Sequence, residues 1–90
     1  MPDLRPAPMD HDNPTDWLHA QLEFIDGQLT NYTAVRDRHR TDVVMYERIG
    51  AQLPLRYHRA QVEQCTTRIE ALLDLRLQVV QQAQDKGGAQ

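Results

Sequence analysis

Residues 50–54, Gly50-Ala51-Gln52-Leu53-Pro54, decide how this chain folds. Glycine suits the left-handed position just past a helix end, because it has no Cβ to clash there. Proline cannot donate the hydrogen bond that an uninterrupted helix requires. One helix is therefore expected to stop near Ile49 and another to start near Pro54. Upstream, Leu18, Leu22, Ile25, Leu29, Tyr32, Arg36, His39, Val43, Tyr46, Gly50 and Leu53 recur at alternating spacings of four and three. Such a repeat lines its members along one side of a helix. Downstream, Leu55, His58, Val62, Cys65, Ile69, Leu72, Arg76, Val79 and Ala83 form a second seam of the same kind.

Helix 1 is expected over about 14–49, the turn over 50–53 and helix 2 over about 54–85. Asn13 is a good N-cap, Pro14 fits the first helical position where no N–H is needed, and Asp16 is favourable against the helix dipole. Gly27 weakens helix 1 by roughly 1 kcal/mol relative to alanine. The seam nevertheless keeps its phase from Ile25 to Leu29, so the helix is read as continuous; a break at Gly27 is the alternative, and would give three helices. Two helices of about equal length, each roughly 50 Å, joined by a short turn imply an all-α antiparallel hairpin with a coiled-coil-like seam. Matching the two seams pairs Tyr46 with Val62, Val43 with Cys65, His39 with Ile69, Arg36 with Leu72, Tyr32 with Arg76, and Leu29 with Val79.

Composition agrees with helices. Hydrophobic residues make up 40% and aromatics only 6% of the 90 residues, too few bulky side chains for a β-sandwich core. Four of the five prolines fall in the first fourteen residues among aspartates, so 1–13 should be a mobile tail, and 87–90 a flexible C-terminus. The single cysteine, Cys65, excludes an intramolecular disulfide and a cysteine-based zinc site. The N-terminal stretch lacks the apolar core of a signal peptide, and no run of residues is long enough to span a membrane. A cytoplasmic protein is expected.

Between 69 and 80, Ile69, Leu72, Leu73, Leu75, Leu77, Val79 and Val80 spread around most of helix 2, wider than one partner helix covers. Trp17 and Phe24 add apolar side chains off the first seam. The economical solution is a homodimer forming a four-helix bundle, with Ile69, Leu72, Leu73, Leu75, Leu77, Val80, Trp17 and Phe24 at the interface.

Arg36, His39 and Arg76 are polar members of the seams. A buried guanidinium is costly unless paired; Glu70, Asp74 and the face of Tyr32 are the expected partners. Arg38, Arg40, Arg56 and Arg59 make the turn half basic and could contact phosphates, although acidic residues interrupt them and the pI is 5.7. Asp16, His19, Glu23 and Asp26 share one helix face but supply ligands from a single helix, which reads as a solvated acidic face. No metal site or cofactor is expected, and no catalytic residues are assigned, because the chain has neither a Ser-His-Asp set nor a phosphate-binding glycine loop. The expected function is that of a non-enzymatic interaction protein, an adaptor, regulator or structural component, working through self-association and a protein partner. The alternatives are a nucleic-acid-associated protein using the basic half, and a small helical enzyme with an anion pocket at Arg36 and Arg76.

Overall fold

The computed structural model describes residues 14–88. They form two helices, α1 (Pro14–Ile49) and α2 (Gln52–Gly88), packed against each other along their length as a hairpin. At 1.5 Å per residue each helix is about 54 Å long. Among the described residues there is no strand. Neither helix is long and apolar enough to cross a membrane. The proline-rich segment 1–13, with Asn13, lies outside the described residues.

α1 runs unbroken through Gly27. The seam around that glycine, from Leu22 through Ile25 to Leu29, faces α2, and burial of that side outweighs the glycine's low helix propensity. Asp16 sits in the first turn and Arg48 in the last, both favourable against the helix dipole. Thr30, Thr41, Thr66 and Thr67 satisfy their hydroxyls on the carbonyl four residues back, which lets these poor helix formers sit inside helices.

The turn is shorter than expected. Gly50 has φ 69°, its N–H donates to the Glu47 carbonyl at 3.3 Å, and the Ala51 N–H donates to the Tyr46 carbonyl at 3.1 Å. This pair of bonds is a Schellman cap, which occupies carbonyls the helix end would otherwise leave open. Ala51 then serves at once as the N-cap of α2, its carbonyl accepting from the Leu55 N–H at 3.1 Å. Pro54 is therefore not the start of α2 but lies within its first turn, where an N–H has no helical acceptor and its absence costs nothing. Leu53, which extends the upstream seam on paper, belongs to α2 and is 77% exposed. At the other end α2 continues to Gly88 rather than stopping near 85, since low glycine propensity weakens a final turn without blocking it.

The tight turn also corrects the register. Arg76 meets Asp26 rather than Tyr32, and His39 meets His58 rather than Ile69. Cys65 shares a groove with Tyr32 and Val35, not with Val43. The helices are thus offset from the seam-matched pairing by about one heptad, a shift under which two heptad seams still match. The core is thin: among the described residues Ile25, Leu55, Cys65 and Val79 are the buried hydrophobic side chains, all four on the expected seams.

Candidate functional site

Next to the turn, the two seams meet in a cluster of polar and aromatic side chains. His39 and Asp42 stand three residues apart on α1, so they share one face; His58 reaches them from the second turn of α2. His39 Nδ1 and His58 Nδ1 are 2.8 Å apart, a hydrogen bond in which one ring donates its N–H to the other's lone pair. Asp42 Oδ2 lies 3.6 Å from His58 Nδ1, beyond hydrogen-bond length. The Tyr46 ring stacks on His58 at 5.3 Å and 11°, and the Tyr57 ring stands edge-on to both imidazoles. His39, Asp42 and His58 are each half-buried. Aromatic walls therefore hold two imidazoles and a carboxylate in a partly dry niche that can share a proton or receive a cation.

The cluster is absent from the sequence-derived sites except for His39. The signal was present, since His39 and His58 are both seam members. Only the shifted register hid that they meet.

The other polar seam residues are separated. Arg76 Nε–H donates to Asp26 Oδ1 at 2.9 Å, so its partner comes from the acidic face of α1 rather than from Glu70, Asp74 or Tyr32. Arg36 is only 21% exposed; its Nε is buried, has no hydrogen-bond acceptor, and lies 3.6 Å from the carboxylate of the adjacent Asp37. Asp26, which fixes the position of Arg76, and Arg36 are ten residues apart on one helix, about 15 Å along its axis. The two arginines therefore do not share an anion pocket.

The four candidate phosphate-binding arginines are exposed but do not form one patch. Arg40 and Arg59 line a common groove with Val43, Val44 and Val62. Arg38 is two residues from Arg40, about 200° around the helix, and points to another side. Carboxylates also occupy part of this charge: Arg59 bonds Glu47 at 3.0 Å, and Arg40 lies 3.9 Å from Asp37. Opposite charges interleaved at this density weaken the field that would draw a phosphate backbone.

Of the residues assigned to a dimer interface, Phe24, Leu73, Leu75 and Leu77 are exposed, Phe24 at 64%. Ile69, Leu72, Val80 and Trp17 are half-buried. The exposed leucines do not share one surface. Leu75 lines a groove with Phe24, Tyr32 and Leu72 on one side of the hairpin. Leu73, Leu77 and Val80 follow a four-three spacing of their own, and Leu77 lies about 200° around α2 from Leu75. The hairpin is therefore apolar on two sides.

No protein-family model matches the chain, and neither a curated protein nor a solved structure is significantly similar to it. The class of protein is therefore defined by its fold alone, an antiparallel helical hairpin.

Proposed function

We propose that this chain is a non-enzymatic helical interaction protein that self-associates into a four-helix bundle and binds a protein partner. One observation carries the reading. Among the described residues four hydrophobic side chains are buried, while Phe24, Leu73, Leu75, Leu77, Ile49, Leu53 and others stay largely exposed. A two-helix unit with so small a core is marginal on its own, and covering either apolar side with another hairpin would supply the missing burial. The two sides suit two contacts, one with a second copy and one with a partner. The reading includes a cytoplasmic setting, in keeping with the free, buried Cys65.

Light scattering coupled to size exclusion, run on the full chain at micromolar concentration, tests the self-association. A dimer is expected. Phe24→Glu with Leu75→Glu tests one side and Leu73→Glu with Leu77→Glu the other; one pair should give monomers and the other should not. A wild-type chain that runs as a folded monomer across this range sinks the reading.

A further inference from the structure

The niche beside the turn brings together three ligand-type side chains whose donor atoms all lie within 4.8 Å of one another: His39, Asp42 and His58. They come from both helices, two from α1 and one from α2. The shortest separation is the 2.8 Å between the two Nδ1 atoms, and Asp42 Oδ2 stands 3.6 Å from the His58 Nδ1. A neutral imidazole carries one N–H, so at most one proton bridges the two Nδ1 atoms. The carboxylate is left without that proton and too far away to take it.

A cation resolves this arrangement better than a proton does. Borderline divalent ions bind imidazole nitrogen and carboxylate oxygen at about 2.0–2.2 Å. Two ligands at that distance stand roughly 2.9–3.4 Å apart for bond angles between square and tetrahedral. Two of the three separations, 2.8 and 3.6 Å, bracket that interval and the third, between His39 and Asp42, is at most 4.8 Å, so seating an ion requires the two rings to part by a few tenths of an ångström and the carboxylate to turn in toward both of them. His58 is held for this by the parallel Tyr46 ring, and both imidazoles by the edge of Tyr57. Rings fixed by packing lose little freedom on binding, which is what preorganises a ligand set. The partly exposed side leaves a position for water, giving the two-histidine, one-carboxylate set with an open site.

We propose that His39, Asp42 and His58 form a binding site for a divalent transition-metal ion of the zinc type, which ties α1 to α2 beside the hairpin turn. The imidazoles favour such an ion over Mg²⁺ or Ca²⁺, which prefer all-oxygen sites. The site lies within one chain and does not depend on self-association.

Calorimetric titration of the full chain with ZnCl₂ in a non-chelating buffer tests this, with circular-dichroism melting as a second readout. One Zn²⁺ per chain is expected, with a rise in melting temperature that MgCl₂ does not produce. His39→Gln and His58→Gln should each weaken Zn²⁺ binding by about tenfold or more. Asp42→Asn, nearly isosteric and at the open rim, should also weaken it while the helices stay formed, so loss of binding is separable from loss of fold. His19→Gln, on the exposed acidic face, should leave it unchanged. Failure to bind Zn²⁺ at millimolar concentration, binding undiminished in His39→Gln and Asp42→Asn, or one ion shared between two chains would each overturn the site.

Discussion

His39 and His58 place their Nδ1 atoms 2.8 Å apart across the hairpin, a contact that links the two helices next to the turn. The His58 ring is also stacked on Tyr46, so it joins the polar contact to the seam. His58→Ala removes the stack and leaves the His39 Nδ1 without its protein partner. An aromatic pair contributes about 0.5–1.5 kcal/mol and a neutral hydrogen bond about 0.5–1.5 kcal/mol. A loss of about 1–3 kcal/mol is expected in urea unfolding at fixed protein concentration without added metal. His58→Phe, which keeps a ring for Tyr46, should recover part of it; no recovery would mean that the stack contributes nothing.

The two internal glycines of the hairpin should respond to alanine in opposite directions. Gly50 has φ 69°, a conformation that costs an L side chain about 1–2 kcal/mol, so Gly50→Ala should lower stability by about that much. Gly27 is helical, and a Cβ built on it meets nothing within 4 Å. Gly27→Ala should raise stability by about 0.5–1 kcal/mol. Melting temperatures of the two variants, measured against the parent chain at one concentration, check the signs. A destabilised Gly27→Ala would show that this surface is covered in solution.

Ile25 is 1% exposed, the most completely buried of the large side chains among the described residues. Ile25→Ala is expected to cost about 2–5 kcal/mol and Ile25→Val about 0.5–1.5 kcal/mol. For a chain of this size the larger loss approaches the whole stability, so Ile25→Ala should lose most of its helical circular-dichroism signal at 37 °C. Ile25→Val should keep its helices and shift the urea midpoint. Equal, small effects for both would mean that the seam is looser at this level than its burial indicates.

The Arg76 to Asp26 bond joins the helices far from the turn, but both side chains are substantially exposed. A double-mutant cycle with Arg76→Ala and Asp26→Ala should give a coupling of about 0.2–1 kcal/mol that shrinks as salt is added. A coupling well above that range, or one insensitive to salt, would mean that this end of the hairpin is desolvated by a second molecule.

Most of the fold was legible along the chain. The four-three spacing of Leu18 through Tyr46 and of Leu55 through Ala83 specified two amphipathic helices, and Gly50 specified the end of the first. Each depends on chemistry within a turn or two, where a missing Cβ, a missing N–H or a one-sided apolar stripe acts on its own neighbours. That the apolar residues of 69–80 exceed what one helix covers was likewise readable, as their wide angular spread. Register was not, because two seven-residue seams match equally well when slid by seven. The tertiary structure decided it through the turn, since Gly50 and Ala51 alone bridge the helices and leave no slack for the alternative. Placing His58 against His39 and Asp42, and Asp26 against Arg76, follows from that one length, which acts between residues up to fifty positions apart.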